Sequence, residues 1–223
     1  MGDPPGMTQT ALVLGATGLV GGELVKLLLA TEGWRVVAFT RRPLDVAHEH
    51  LTTHQVDFRD PASFADRVRG DVLFSSLGST KKKAGTNEAR FEVDYTFQYR
   101  VAELAARNGV PTYALVSAHG ADASSWSFYL KMRGELERDV QTLPFARTRI
   151  LRPGFLDGDR PEARPAEEAA IGILRGLGKV PGFRSIRPIQ ASTVARALVA
   201  AAADPAPGVR IYKAIELFSL GAA

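Results

Sequence analysis

Short apolar runs alternate with longer amphipathic stretches along this chain. ALVLGA (11–16) is apolar at consecutive positions and stops at glycine, the pattern of a strand buried on both faces. GLVGGELVKLLLATEG follows, with Leu19, Leu24, Leu27 and Leu28 near helical spacing and Gly33 at its end. WRVVAFT (34–40) predicts a second strand, HQVDF (54–58) a weaker third and DVLFSSLG (71–78) a fourth. A long helix is expected over about 88–108, a fifth strand at PTYALVSA (111–118) and a helix over about 125–142. A sixth strand begins in ARTRILRPG (146–154), further helices fit about 165–177 and 191–203, and GVRIYKAIEL adds a short late strand.

Strands that are apolar on both faces and alternate with helices predict an α/β chain: a three-layer, doubly wound Rossmann fold with a mostly parallel sheet. No internal repeat and no Pro/Gly-rich linker divides the sequence. Residues 8–223 are therefore expected to form one domain, with a small C-terminal cap from about 153. Residues 1–7 are expected to be a flexible leader, with Met7 a second possible start.

Composition narrows the function classes. The 223 residues include no cysteine, which excludes disulfides, thiolate chemistry and Cys-built zinc sites. Together with the lack of a basic and then apolar signal in MGDPPGMTQT, this predicts a cytoplasmic protein. No apolar run approaches the ~18 residues needed to cross a bilayer, so no membrane partner is expected. The net charge of +4 suits anionic small molecules. With no zinc-finger spacing, aromatic RNA-binding signature or long basic run, nucleic acid is not an expected partner.

The strongest chemical signal is GATGLVG, comprising Gly15, Ala16, Thr17, Gly18, Leu19, Val20 and Gly21, placed between the first strand and the first helix. In that position Gly15 permits the tight turn, Gly18 lets backbone approach a pyrophosphate, and Gly21 lets helix pack near strand. The free N–H groups and dipole at the helix start favour an anionic cofactor. After the second strand, where an NAD site usually carries Asp or Glu, the chain has Thr40-Arg41-Arg42. An arginine fork pairs well with a 2′-phosphate, so NADP(H) is the expected cofactor, with Arg41 ranked ahead of Arg42. Asp57 is a candidate acceptor for the adenine amino group, or else a turn acid. Ser76, Leu77 and Gly78 end the fourth strand where the chain must pass beneath the cofactor.

The blocks GATGLVG (15–21), SLGSTKKKAG (76–85), VDYTFQYRVAELA (93–105), LVSAHGADASSWSFYLKMRGELE (115–137) and LRPGFLDGDR (151–160) occur in an order that resembles the short-chain dehydrogenase/reductase superfamily. More narrowly they resemble its small atypical members, TIP30-like proteins and their bacterial relatives. The resemblance implies NADP(H) binding and a Ser–Tyr–Lys type site, with Ser117 matching the serine and Tyr129 the tyrosine. It also makes Pro153, Gly154 and Phe155 candidate contacts beside the nicotinamide. The expected lysine position holds Arg133. Because a helix turns about 100° per residue, Arg133 shares a face with Tyr129 whereas Lys131 lies nearly opposite. Arg133 supplies charge and hydrogen bonds but no proton, so a relay through a lysine ammonium is lost.

Two functions of different class follow. One is a reductase of a small carbonyl substrate, with Tyr129 as proton donor, Ser117 holding the carbonyl oxygen and Arg133 binding ribose. The other is an NADP(H)-binding redox sensor or protein-interaction module, as in TIP30-like and NmrA-like proteins. A nucleotide-sugar epimerase or dehydratase fits less well, because the region after Arg152 is short for such a pocket. Of the smaller features, Lys81, Lys82 and Lys83 read as a solvated loop or else as an attractor of an acidic substrate or phosphate-bearing acyl carrier, and His119, near the active end, as a substrate contact or a loop histidine bonded to water. His48, His50 and His54 lack the acidic partners of a metal site. Trp126 and Phe128 are candidate walls of an apolar pocket. Tyr95 and Tyr99 are either core residues or part of a homodimer interface through the 88–108 and 125–142 helices.

Overall fold

The computed structural model describes residues 8–80, 84–157 and 188–222. The elements are β1 (Gln9–Leu14), α1 (Leu19–Leu29), β2 (Trp34–Thr40), β3 (Leu51–Gln55), a 3₁₀ segment (Pro61–Arg67), β4 (Val72–Ser75), α2 (Asn87–Phe91) and α3 (Phe97–Arg107). These are followed by β5 (Thr112–Val116), α4 (Phe128–Val140), β6 (Arg147–Arg152), β7 (Leu156–Asp157), β8 (Ile189–Gln190), α5 (Ala191–Ala203), β9 (Gly208–Lys213) and α6 (Ala214–Leu220).

Seven strands form one sheet in the order β3-β2-β1-β4-β5-β6-β9, and every pairing in it is parallel. This is the Rossmann order extended by one strand. The connections run outward in opposite directions from β1 and β4, which leaves a crevice at the carboxyl ends of those strands. The period-2 alternation of a strand divides the core in two. Ala11 and Val13 face α1 and α5, meeting Leu24, Leu28 and Leu198. Leu12 and Leu14 face α3 and α4, meeting Phe97, Val101 and Leu136. β7 and β8 form a separate parallel pair.

Three expectations need correction. The third strand is Leu51–Gln55, not 54–58. It is an edge strand, half solvated, so it needs no apolar run, and the more apolar HQVDF misplaces it. The chain leaves β3 into a turn in which Asp57 Oδ1 accepts from Arg59 N at 2.9 Å. The long helix is not uniform, because a π-helical turn, Glu92–Thr96, joins α2 to α3. GVRIYKAIEL is a strand and then a helix, with the Glu216 carboxylate accepting from Lys213 N at 2.7 Å to cap α6. The leader, the lysines at 81–83 and the helix expected over 165–177 lie outside the described residues.

Tyr95 and Tyr99 are partly buried against the core. The Tyr95 hydroxyl donates to Asp139 Oδ2 at 2.6 Å, tying the π turn to α4 within the chain. Among the described residues no helix is long and apolar enough to cross a membrane.

Candidate functional site

At one end of the crevice the site is built from backbone. Gly15 has φ +86°, and a Cβ there would lie 2.7 Å from Leu77 N and 2.8 Å from Ser76 O. A Cβ on Gly21 would lie 2.1 Å from the Gly15 oxygen. Helix, loop and the end of β4 are therefore in direct backbone contact, further fixed by Ser76 N and Oγ donating to Leu14 O at 3.0 and 2.9 Å. Gly18 is different. A Cβ there would approach the Gly15 oxygen no closer than 3.2 Å, and the residue is exposed. It caps α1 with no side-chain hydrogen bond and no acid in the first turn, so the amide end of an 11-residue helix is left to an outside anion. Ala16 and Val20 are buried, so any contact they make with a ligand is through backbone.

Beside this loop lies a cleft of about 440 Å³. Thr17, Gly18, Gly22 and Lys26 line one wall, and Arg42, Pro43 and Leu44 the other. Arg42, ranked second from sequence, is the arginine on the cleft. Arg41 is off that lining, its backbone oxygen accepting from Gln55 Nε2 at 3.3 Å. Lys26 was not singled out in the sequence. Its position one helical turn beyond Gly22 is the signal that could have found it. Asp57 takes the turn role described above. The fit to a dinucleotide rests on this shape: an uncapped helix start, a cradle that a Cβ would fill, and Arg42 on the adjoining wall, with Asp45 near it and Lys26 paired to Glu23 at 2.9 Å.

The other end of the crevice is built from charge. Arg133 is buried in α4, with its Nε lacking any hydrogen-bond partner and its Nη1 3.5 Å from the Asp94 carbonyl. Its guanidinium carbon lies 5.8 Å from the Tyr129 ring centroid. A Cβ on Gly78 would sit 3.6 Å from Arg133 Nη2, which brings the end of β4 to the same place. Burial works against the Arg133 charge, but Tyr129 and Asp94 outweigh it and hold the pKa above the ordinary arginine value. Lys131 is on the solvent face, 4.0 Å from Glu135, as helix geometry requires.

Asp94 lies in the π turn and is buried. Its Oδ1 accepts from Ser79 N at 2.5 Å, and Arg90 Nε lies 3.4 Å from its Oδ2. Burial pushes the Asp94 carboxyl up, against the pull of Arg133, the Ser79 N–H and Arg90. Beneath it, Ser75 Oγ donates to Gln98 Oε1 at 2.7 Å, and Gln98 Nε2 donates to the Asp94 carbonyl at 2.6 Å. Asp94 and Arg90 were missed from sequence, although their i,i+4 spacing in RFEVD is that of a helical ion pair.

Ser117 follows β5, buried, and its hydroxyl has no hydrogen-bond partner among the described residues, Tyr129 included. Its N–H donates to Leu151 O at 2.7 Å, and His119 N donates to Pro153 O at 2.8 Å. These bonds tie the serine segment to the start of Pro153-Gly154-Phe155. Pro153 is buried, whereas Phe155 and Trp126 are exposed and Phe128 is at the margin.

Comparison with known proteins agrees with this architecture. A family model described as NAD(P)H-binding matches residues 15–205. Protein FMP52, mitochondrial, of Candida albicans is 33% identical over 198 residues, 86% of each chain. Protein FMP52-1, mitochondrial, of Scheffersomyces stipitis is 33% identical over 222 residues, 95% of this chain and 98% of its own. Among solved structures, the Bordetella bronchiseptica enzyme WbmG in complex with NAD superposes with a TM-score of 0.70 at 13% identity, over 95% of this chain and 74% of that one, a likeness of fold. The expected cytoplasmic location is overturned by these relatives, which are named as mitochondrial proteins. A cysteine-free composition is compatible with any compartment and does not distinguish between them. From the glycine cradle, the strand order and these matches together, the chain belongs to the NAD(P)H-binding family of Rossmann proteins and, within it, to the FMP52 proteins.

Proposed function

We propose that this chain is an NADP(H)-dependent reductase of a small carbonyl compound, in a mitochondrial setting as the names of its relatives suggest. The observation that carries this is the pairing of Tyr129, in the first turn of α4, with a buried guanidinium four residues on that has an unspent Nε–H. Arg42 on the wall of the glycine cleft favours the phosphorylated cofactor over NAD(H). Gly15 to Gly21 would hold the pyrophosphate, and Leu77, Gly78 and Pro153 to Phe155 would flank the nicotinamide half. When bound, the cofactor supplies the hydride.

The chain's own residues have defined tasks. Tyr129 gives its phenolic proton to the carbonyl oxygen. The free Ser117 hydroxyl donates a hydrogen bond to that same oxygen. Arg133 binds ribose and stabilises the phenolate that Tyr129 becomes. Because a guanidinium does not release its proton, Tyr129 is reprotonated from water and not through residue 133.

The test is NADPH oxidation with a carbonyl panel. Tyr129→Phe is expected to lower kcat/KM by about 100- to 10,000-fold, while NADPH still raises the melting temperature. Turnover indifferent to that change, or no turnover across a wide panel, would sink the reductase. One feature favours a second reading, binding without turnover: the arginine at 133, which abolishes the lysine relay. It requires NADP⁺ and NADPH to bind with unequal affinity, because a ligand shifts only states it distinguishes.

A further inference from the structure

Tyr129 has a second arginine, and it is the nearer one. The guanidinium carbon of Arg90 lies 4.3 Å from the ring centroid, against 5.8 Å for Arg133. Stacking occupies the face of a guanidinium and leaves the N–H groups on its edge available. Of those, Nε is directed at Asp94 Oδ2 at a long 3.4 Å, and the two terminal nitrogens have no acceptor among the described residues.

Four other arginines have a carboxylate of their own: Arg59 has Glu92, Arg107 has Glu103, Arg138 has Asp139, and Arg152 has Glu137. Among the described residues Arg90 has only Asp94, at 3.4 Å, while the hydrogen bond of Arg133 goes to the Asp94 backbone carbonyl and not to its carboxylate. The second oxygen of that carboxylate is already taken by Ser79 N. Two guanidinium charges against one carboxylate leave one positive charge in excess at Tyr129. The Arg90 side chain is only 17% exposed, so water compensates this charge poorly. A cation with unspent donors, poorly hydrated and in contact with the proposed proton donor, is arranged to receive an oxyanion.

We infer that Arg90 is a specificity-determining residue that takes a carboxylate or phosphate carried by the carbonyl substrate. This rests on the reductase reading and deepens it. The substrate is an oxo acid or an oxo phosphate, its carbonyl at Tyr129 and its anionic end on the Arg90 terminal nitrogens. Asp94 holds Arg90 against the ring and is the positioning residue for it.

Matched pairs test this on the full chain loaded with NADPH: 4-oxopentanoate with its methyl ester, and dihydroxyacetone phosphate with dihydroxyacetone. kcat/KM and melting temperature are measured for each probe with the wild type, Arg90→Gln and Arg90→Lys. The wild type is expected to favour the anionic member of one pair by about tenfold or more, mainly through KM, as a charged hydrogen bond allows. The pair that shows the preference identifies carboxylate or phosphate. R90Q should cut that anion-to-neutral ratio by about tenfold, and R90K should keep most of it. Equal handling of both members by the wild type, or a fall in both alike in R90Q, which is the signature of a mere prop for the Tyr129 ring, overturns the inference and leaves the reductase standing. If none of these four probes is turned over, the wide carbonyl panel still decides the reductase reading, and the melting temperatures decide the Arg90 site. Stabilisation by an anion that R90Q abolishes supports the Arg90 site, and stabilisation by neither anion, or of R90Q as much as the wild type, overturns it.

Discussion

Gly21 and Arg133 lie along the same sheet edge and restrict the chain in opposite ways. At Gly21 the constraint is volume, because a single added carbon would sit 2.1 Å from the Gly15 oxygen, and backbone cannot yield as a flexible side chain does. No charged side chain lies in the loop, and its affinity for anions comes from amides at a helix start. At Arg133 the constraint is charge. Two arginines and one aspartate are withdrawn from water, and a π turn presents the aspartate carboxylate to Arg90 and its carbonyl to Arg133. Extra turns of this kind inside α-helices recur at functional sites. The glycine end should therefore tolerate a change of charge but not of size, and the arginine end a change of size sooner than of charge.

The largest test is Gly21→Val. It should destabilise the protein by about 3 kcal/mol, at the upper end of overpacking costs, and remove the rise in melting temperature caused by NADPH. Thermal unfolding with and without cofactor reads both. A variant that melts and binds like the wild type would show that the loop has slack the contact distances deny.

A smaller effect separates the two arginines after β2. Arg42→Ala should weaken NADPH about tenfold or more, the scale of one charged hydrogen bond, and leave NADH nearly unaffected. Arg41→Ala should change either affinity less than twofold. Titration of both cofactors against both variants decides this, and the reverse ranking would restore Arg41 to the role expected from sequence.

The smallest effect is a slope. A carboxyl raised by burial keeps its proton in the native state after the unfolded chain has lost it. Its contribution to stability is thus fullest below about pH 3.9 and falls as pH rises through the folded-state pKa. Asp94→Asn keeps the size of the side chain and removes the titration. Melting temperature measured upward from pH 3.5 should lose that part of its slope in the variant. An unchanged slope would mean that the arginines hold Asp94 charged in spite of its burial.

Much of the glycine end was legible in the sequence. GATGLVG after a buried strand marks a turn, a helix start and a close crossing, and at the turn (Gly15) and the crossing (Gly21) the steric demand is one that only glycine meets. Tyr129 and Arg133 were legible as a pair for an equally local reason, the rotation per residue of a helix. Arg90 and Asp94 were not identified, although their spacing was visible. An i,i+4 pair means little until it is known which face of the helix is buried, and here the π turn sets that face. The order of Arg41 and Arg42 was equally undetermined, since two adjacent residues at a strand end point to opposite sides and the sequence does not say which side holds the cleft.

The sequence alone determined the fold class, the strand that begins the cofactor site and the helix face that carries Tyr129, since all three follow from periodicity and local sterics. Only the tertiary structure decided which arginine meets the cleft, which residue two guanidinium groups both touch, and that Arg90 lies on the Tyr129 ring. Those are facts about side chains from separate elements meeting in a place with little water, where the strength of a charge depends on its neighbours and not on its position in the chain.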